Sequence, residues 1–243
     1  MTIDDAEHIS AEDRAEIVAN YPPHEREART RGIPSLGSGR IFPVADSQIE
    51  VPAFVIPEHW ARIAGIDFGW EHPTAAVELA WDRDADTVYV INAYKMKERT
   101  PLEHSVSLLP WGDNLLWAWP QDAYQRDKRT GGTLRDDYRK YGLCMLPQHA
   151  THRDGGVSVE AGLMEMLTRM QTGRFKAFAH LGDWWSEFRM YHRKDGQVFK
   201  EFDDLMAATR YAVMMLRHAE APYLYSDEAE DTRYVPANEV TGY

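Results

Sequence analysis

The chain has 243 residues, of which 44% are hydrophobic and 27% charged, values that suit one large folded domain or one domain with an appendage. No apolar run approaches the roughly 20 residues of a membrane span, and the N-terminus lacks the pattern of a signal peptide, so we expect no membrane association. A single cysteine, Cys144, excludes an internal disulfide framework and suits a reducing cytosol.

The net charge of −12 at first argues against a partner as acidic as nucleic acid, but the charge is unevenly distributed. Residues 1–60 contain eleven acids and five bases, and residues 219–243 contain six acids and one base. Residues 61–218 contain 22 acids and 21 bases. The acidity therefore belongs to the two ends, and the near-neutral middle is compatible with an anionic partner.

The first 58 residues combine a short helix with a proline- and glycine-rich segment. Residues 10–20 predict a helix in which Ser10 is the N-cap and Asp13 completes a capping box. From Tyr21 to Pro57 prolines recur, and a long helix or central strand is disfavoured because each proline fixes φ and lacks an N–H donor. We interpret residues 1–58 as a helix and an extended connector wrapped on the rest of the chain, with disorder as the alternative.

Residues 59–218 show a hairpin meander of strands, followed by strands that alternate with helices. The predicted strands are Ile63–Phe68, Thr74–Trp81, Thr87–Tyr94, Asn114–Trp119, Leu143–Leu146 and Phe175–Phe178. The predicted helices are Pro101–Leu109, Leu134–Tyr141, Val159–Met170, Leu181–His192 and Phe202–His218, with a turn over Arg193–Gln197. This order predicts an α/β domain with a mixed central sheet flanked by helices. The acidic residues 219–243 are predicted to form a flexible tail.

Four acidic residues lie at the ends of predicted elements, in three parts of the chain. Asp67 ends the first core strand, Asp122 follows the fourth, and Asp203 and Asp204 open the last helix. If the first and fourth strands are neighbours, Asp67 and Asp122 meet at one end of the sheet, and a helix packed on the sheet adds Asp204. Clustered carboxylates repel and have raised pKa values, which a hard divalent cation such as Mg²⁺ or Mn²⁺ relieves. Two such ions about 4 Å apart support phosphodiester cleavage by an activated water.

Each of these acids taken alone has a commoner structural explanation, because acids often cap turns and start helices. The combination, in this order and on these elements, is far more specific than any one member. Within the adjacent pair we favour Asp204, since small Ala207 and Ala208 one turn later permit close docking on the sheet. Asp203 is then a helix cap or an outer-shell ligand.

Three motifs are the most specific features of the chain: Gly65–Ala75, Trp119–Asp122 and Phe202–Tyr211. Together they resemble the nuclease domain of the large terminase subunit of tailed bacteriophages. The upstream segments Pro22–Arg29 and Gly37–Arg40 look like the stretch that follows the ATPase domain in that family. The resemblance covers roughly residues 6–218.

The resemblance implies an RNase H-like (integrase-like) fold and two-metal endonuclease activity on packaged double-stranded DNA. The metal-binding acids of those motifs map onto Asp67, Asp122 and Asp203 or Asp204. The resemblance further implies an N-terminal ATPase domain in the full-length protein, a portal and a small terminase subunit as partners, and the host bacterial cytoplasm as location. These 243 residues contain no P-loop Gly-Lys-Ser/Thr, so we interpret the chain as a nuclease fragment or a free-standing relative.

Further residues are candidates for supporting roles. His72 can orient a water, Glu160 can add a metal ligand and Lys194 can hold the scissile phosphate, although a turn or a solvated side chain is the simpler interpretation of each. The candidate DNA-binding cluster consists of Arg126, Lys128, Arg129, Arg135, Arg139 and Lys140. This cluster follows the second acidic motif and can bind DNA phosphates without contacting the bases. The alternative interpretation is a solvent-exposed helix face with no DNA contact.

These observations favour a metal-dependent DNA endonuclease with little sequence preference, because nothing in the chain resembles a helix that reads the major groove. The alternative from another class is a non-catalytic docking or motor-regulating module whose acids are structural. A third hypothesis is another RNase H-like nuclease, such as a resolvase.

Overall fold

The computed structural model of the chain describes residues 10–20, 30, 39–124, 132–194 and 196–222. Its helices are α1 (Ala11–Asn20), α2 (Asp46–Ile49), α3 (Pro101–Leu108), α4 (Leu134–Lys140), α5 (Val159–Gln171), α6 (Gly182–Met190) and α7 (Asp204–Met214). Its strands are β1 (Glu50–Val51), β2 (Ala61–Asp67), β3 (Thr74–Asp82), β4 (Thr87–Met96), β5 (Leu116–Ala118), β6 (Cys144–Met145), β7 (Phe175–Phe178), β8 (Arg193–Lys194) and β9 (Gln197–Val198). Within these ranges, no helix is long and apolar enough to cross a membrane.

Seven of the described strands form one mixed sheet in the order β1-β7-β4-β3-β2-β5-β6. The strands β2, β3 and β4 form the predicted antiparallel meander, whereas β1, β5, β6 and β7 pair in parallel with their neighbours. Parallel pairs need crossover connections, and helices supply several of these crossovers here. The predicted α/β class with a mixed central sheet is therefore confirmed.

The strands β2 and β5 lie side by side, and this decides where the first two acidic motifs meet. Gly65 pairs with Ala118 in parallel register. Both strands therefore end at the same edge of the sheet. Asp67 is the last residue of β2, and Asp122 lies in a 3₁₀ turn just after β5. The prediction that the first and fourth strands are neighbours is confirmed.

The helix α7 packs across β2 and β3 so closely that backbone meets backbone. Gly65 makes this possible, because a Cβ at that position would lie 2.9 Å from the Ala212 nitrogen and closer still to the Ala208 carbonyl oxygen. The helix is predicted from the sequence to begin at Phe202, but it begins at Asp204, because Phe202 has φ +60°. A left-handed residue cannot continue a right-handed helix.

A short loop after Asp67 turns the chain back into β3. The Gly69 N–H donates to Thr74 Oγ1 (3.1 Å), and the Thr74 hydroxyl donates to the Gly69 carbonyl oxygen (2.9 Å). A Cβ on Gly69 would lie 2.7 Å from the Pro73 carbonyl oxygen, so this tight loop requires glycine. His72 lies in this loop, in agreement with its interpretation as a turn residue.

Part of the predicted connector packs on the domain. The buried Phe42 ring lies 6.0 Å from the ring centroid of Phe188 and 5.7 Å from that of Tyr191. The strand β1 extends the sheet by pairing with β7. The domain limits at residues 58 and 218 stay predictions, but residues 39–51 share their core with the sheet. Most of the predicted acidic tail, residues 223–243, lies outside the described residues.

The ends of α6 and α7 also differ from the sequence prediction. The helix α7 ends at Met214 and a 3₁₀ turn over Leu216–His218 replaces its predicted last turn. The helix α6 ends at Met190, because Tyr191 takes an extended conformation. The predicted turn over 193–197 is a β8–β9 hairpin, in which Gly196 has φ +78°.

The Gly65→Ala variant tests the contact between α7 and β2. We expect its free energy of unfolding to fall by about 3 kcal/mol or more. Overpacking a core typically costs about 1–3 kcal/mol, and here the added methyl group meets helix backbone that cannot turn aside. Urea unfolding followed by circular dichroism measures the change.

Gly182→Ala is the matched control, because a Cβ at this exposed first residue of α6 meets nothing within 4 Å. This change should be neutral or slightly stabilising, since alanine restricts the unfolded chain. A Gly65→Ala protein as stable as the Gly182→Ala protein contradicts the close packing.

Candidate functional site

A cleft of about 620 Å³ lies where β2 and β5 end and α7 begins. Its lining includes the four aspartates of the acidic motifs, namely Asp67, Asp122, Asp203 and Asp204. They come from the end of β2, the 3₁₀ turn after β5 and the start of α7, so three elements far apart in sequence deliver them. The structure thus brings together all four acids that the sequence singled out.

Burial and the mutual repulsion of these acids shape the electrostatics of the cleft. Burial, together with the negative charges of Asp122, Asp204 and Asp203, raises the pKa of the Asp67 carboxyl to about 8. Burial and the neighbouring Asp204 also raise the pKa of Asp203. The guanidinium of Arg210 opposes both effects without cancelling them. The cleft therefore lacks enough positive charge to balance its acids.

The two adjacent aspartates have different surroundings. Asp203 occupies the N-cap position of α7, but its side chain makes no capping hydrogen bond. Its backbone carbonyl oxygen accepts a hydrogen bond from the Ala207 N–H (2.7 Å). Asp204 Oδ2 lies 2.9 Å from the Lys95 ammonium. Asp203 therefore occupies the predicted cap position without a side-chain capping hydrogen bond. An outer-shell role for Asp203 stays a prediction.

The Lys95 ammonium joins Asp204 to a buried carboxylate on α6. It forms an ion pair with Glu187, and the second oxygen of Glu187 accepts a hydrogen bond from the Leu205 N–H (2.7 Å). Burial raises the pKa of Glu187 although Lys95 acts against it. Desolvation disfavours the charged lysine, but the hydrogen bonds and charges of Glu187 and Asp204 outweigh it and raise the pKa of Lys95. This network fixes the first turn of α7 to β4 and α6.

The donor set of the cleft fits a hard divalent cation. Four aspartate carboxylates offer only oxygen ligands, which Mg²⁺ and Mn²⁺ prefer. The raised pKa of Asp67 reflects its burial and the neighbouring negative charges, and a bound cation would neutralise those charges. In the part of the chain that is described, no three Asp, Glu, His or Cys groups stand close enough to enclose a metal ion. A bound cation therefore requires side-chain shifts that draw the carboxylates together.

The supporting candidates differ in their relation to the cleft. His72 and Glu160 are part of its lining. The guanidinium of Arg193 holds both Glu160 carboxylate oxygens, at 2.8 and 2.5 Å, and this pairing lowers the pKa of Glu160. Lys194 is exposed, with its ammonium 5.4 Å from the Phe199 ring centroid, and it does not line the cleft. Lys200, which the sequence interpretation passed over, does line it.

The predicted DNA-binding cluster is only partly described. Arg126, Lys128 and Arg129 lie outside the described residues. Arg135 donates to the Pro147 carbonyl oxygen and to Asp136, and it packs over the Trp119 ring. Arg139 and Lys140 are exposed on α4. None of the three described members lines the acidic cleft.

Three residues important to the cleft were missed by the sequence interpretation: Lys95, Glu187 and Arg210. Lys95 and Glu187 are 92 residues apart, and neither belongs to an acidic motif. Arg210 stands inside the third motif, but an arginine within a helix is usually exposed, and here it is buried. Nothing in the local pattern marks any of the three as a neighbour of Asp67 or Asp204.

Comparisons with known proteins agree with this geometry. The family model of the terminase RNaseH-like domain matches residues 64–216. The chain is 45% identical over 225 residues to the large terminase subunit of Enterobacteria phage LP7, and 45% identical over 220 residues to that of Salmonella phage P22. The alignments cover 92% and 90% of this chain but 47% and 44% of the relatives. The chain thus spans about half the length of the curated relatives it matches.

Solved structures show the same architecture. The P22 large terminase nuclease domain matches with a TM-score of 0.71 and 41% identity, over 76% of this chain and 95% of that one. The large terminase from a thermophilic bacteriophage matches with a TM-score of 0.60 over 89% of this chain and 55% of that one, at 16% identity, which shows a shared fold.

The mixed sheet, the helix crossing it and the likeness to the P22 domain define an RNase H-like fold, so the predicted fold class is confirmed. The chain belongs to the terminase RNaseH-like domain family. The resemblance indicated by the three sequence motifs is therefore confirmed as well.

The Asp67→Asn variant tests the raised pKa of the Asp67 carboxyl. The measurement is the pH dependence of the stability of the metal-free protein, made in EDTA. The folded protein holds a proton on Asp67 up to about pH 8, whereas the unfolded chain releases it near 3.8. Because the folded state binds more protons in this window, the stability of the metal-free protein falls as the pH rises through it. Asp67→Asn should lose this component, so its Tm should decline less between about pH 5 and pH 8.

Asp183→Asn, an exposed change on the first turn of α6, is the control and should follow the wild-type pH profile. An equally steep decline of Tm in Asp67→Asn contradicts the raised pKa of Asp67.

The Lys95→Met variant tests the network below α7. It leaves Glu187 buried without its cation, and we expect the free energy of unfolding to fall by about 3 kcal/mol. The double variant Lys95→Met/Glu187→Gln should recover part of this loss, because no charge is then buried unpaired. Lys97→Met, at an exposed lysine two residues away, is the control for urea unfolding. A Lys95→Met protein as stable as this control contradicts the network.

Proposed function

We propose that this domain is a divalent-metal-dependent endonuclease that cleaves double-stranded DNA during viral genome packaging. The observation that carries the proposal is the convergence of Asp67, Asp122, Asp203 and Asp204 on one cleft, from three elements far apart in the chain. Family membership supports it, because the matched P22 structure is that of a nuclease domain. The excess negative charge of the cleft supports it further, since a divalent cation would neutralise that charge.

We assign Asp67, Asp122 and Asp204 as the residues that hold Mg²⁺ or Mn²⁺, with Asp203 assisting from the next position. When bound, two such ions supply an activated water and stabilise the leaving oxygen of a phosphodiester. The protein contributes position: β2 and β5 present Asp67 and Asp122 at one sheet edge, and the first turn of α7 presents Asp204. Lys95 holds Asp204 in place through its ion pair.

The charge of the cleft predicts how DNA binds. The aspartates of the cleft repel a phosphate backbone, and among the described residues only Lys200 and Arg210 add positive side chains to the same lining. Bound divalent ions would change the net charge of the surface that faces the scissile phosphate from negative to positive. DNA affinity should therefore depend on the divalent ion, even though residues 61–218 are almost neutral in total. Contacts to the backbone give little sequence preference.

The roles of the supporting residues are proposals as well. His72 and Glu160 line the cleft and remain candidates to orient a water or complete a metal site. Glu160 first has to release Arg193. Lys194 and the basic residues of α4, among them Arg135 and Arg139, stand outside the cleft and are candidates for contacts along the duplex.

The partners follow from the relatives. The chain matches about half of each large terminase subunit, so we propose that an ATPase domain forms part of the full-length protein. We further propose that the portal and the small terminase subunit are its packaging partners and that it acts in the host bacterial cytoplasm.

A non-catalytic docking module is the second candidate. The ion pair between Lys95 and Asp204 and the lack of a ready-made three-ligand cluster in the described part of the chain favour it. It predicts that Mn²⁺ neither binds in calorimetry nor raises the Tm. A third candidate, a resolvase-like nuclease, predicts preference for DNA junctions over linear duplex.

Plasmid nicking in Mn²⁺ tests the nuclease proposal. Asp67→Asn, Asp122→Asn and Asp204→Asn should each keep the fold and lose activity by more than about 100-fold, because even partners outside the ligand shell commonly cost 10–100-fold. Asp183→Asn, with an equal charge change on exposed α6, should cut like the wild type.

Calorimetry with Mn²⁺ on the same proteins separates the candidates. The wild type and Asp183→Asn should bind the ion, and the three cleft variants should bind it more weakly. Retained nicking in both Asp67→Asn and Asp204→Asn contradicts the assignment. Wild-type protein that neither nicks nor binds Mn²⁺ supports the docking module.

A further inference from the structure

Arg210 is a buried arginine at the junction of two cavities. Only 7% of its surface is exposed, yet it lines the acidic cleft and also an adjoining groove of about 570 Å³. Asp122, Val159 and Tyr211 line both cavities, so the groove continues the cleft. A DNA strand that leaves the acidic cleft along this groove would pass the guanidinium of Arg210.

The guanidinium of Arg210 is only partly satisfied within the protein. Its Nε has no hydrogen-bond partner, and its Nη1 is 3.8 Å from the Met214 sulfur, a weak acceptor. The group lies over the Tyr211 ring, 4.6 Å from the centroid, and a side-chain hydrogen bond joins it to Tyr211. No carboxylate among the described residues forms an ion pair with it. A buried charge without a hydrogen-bonded counter-ion is costly, which indicates a missing anionic partner.

The absence of a side chain at Gly162 leaves space for the side chain of Arg210. Gly162 on α5 faces its aliphatic stem, and a Cβ at Gly162 would lie 2.8 Å from Arg210 Cγ and 2.9 Å from Cδ. The glycine therefore leaves room for an extended arginine to run past α5. This second observation ties the placement of the guanidinium to a specific residue on another helix.

The charge around Arg210 depends on the acids of the cleft. The positive charge of Arg210 lowers the pKa of Asp67 and of Asp203, although neither carboxylate forms an ion pair with it. Once divalent ions neutralise those acids, the guanidinium is left with an uncompensated charge. A planar guanidinium donates in a fork that matches two phosphate oxygens, and a strand phosphate is the anion that the proposed reaction brings into the cleft.

We propose that Arg210 binds a phosphate of the cleaved strand next to the scissile one, where the strand passes from the cleft into the groove. The groove suits a nucleotide beyond that phosphate, because Tyr124, Val157 and Val159 expose ring and aliphatic surface along it. This assignment rests on the proposed nuclease function and adds a substrate-binding residue to it.

Binding of a fluorescein-labelled DNA duplex, measured by fluorescence anisotropy in Ca²⁺ at several salt concentrations, tests the assignment. Arg210→Gln should bind about tenfold or more weakly, the loss expected for a hydrogen bond to a charged group. The slope of log Kd against log salt should fall by about 0.9, the value for one phosphate contact. Arg210→Lys should keep the slope, because it keeps the charge, and lose part of the affinity.

Gly162→Ala provides a second variant that leaves Arg210 in the sequence. The new methyl group displaces the arginine stem, so this protein should also bind DNA more weakly and with a reduced salt slope. Arg174→Gln is the matched control, since Arg174 pairs with Asp86 at the opposite end of the parallel strands. Its DNA affinity and salt slope should equal those of the wild type.

Calorimetry with Mn²⁺ keeps this assignment separate from the nuclease proposal. Arg210→Gln should retain Mn²⁺ binding and a wild-type Tm while its DNA affinity falls. An unchanged Kd and salt slope in folded Arg210→Gln and Gly162→Ala overturn the phosphate contact, whether or not nicking is lost. Loss of Mn²⁺ binding in Arg210→Gln also overturns it, because the arginine then supports the acids and not the DNA.

Discussion

The contact between the backbone of α7 and the backbone of β2 is the constraint on which the site depends. Gly65 lacks a side chain, and the helix therefore approaches the strand until the Ala208 carbonyl and the Ala212 nitrogen occupy the space of a Cβ. The same helix carries Asp204 at its first position and Arg210 farther along. Its distance from β2 consequently sets both groups relative to Asp67, two residues beyond Gly65. A looser helix would leave the acids in separate surroundings.

Two cations, the half-buried Lys95 and the buried Arg210, offset only part of the negative charge of the cleft. Lys95 neutralises Glu187 and contacts Asp204, so the start of α7 is anchored to the sheet and to α6. Arg210 moderates Asp67 from a position that lacks an ion pair of its own. Both cations act where burial weakens the screening by water and strengthens each interaction. The protein is therefore organised around an excess of negative charge that is suited to divalent ions.

Much of the fold follows from local patterns in the sequence. Alternating and continuous apolar runs predicted the meander from β2 to β4, and the acids after two core strands pointed to a common edge. That edge exists because β2 and β5 pair in parallel. The packing of residues 39–51 agrees with the interpretation of this segment as a wrapped connector. Local patterns did not predict the burial of Phe42, because that ring is buried through contacts with rings far away in the sequence. The left-handed Phe202, which delays the start of α7, also has no local signature.

The sequence by itself determined which elements form, which acids end them and which family the motifs resemble. It also determined that the acidity lies at the two ends, which leaves a nearly neutral middle. Only the tertiary structure decided that Lys95 and Glu187 lie beneath Asp204 and that Arg210 is buried between two cavities. The physical reason is that strand and helix patterns arise from neighbours within a few residues. Ion pairs and burial depend on which distant elements pack together.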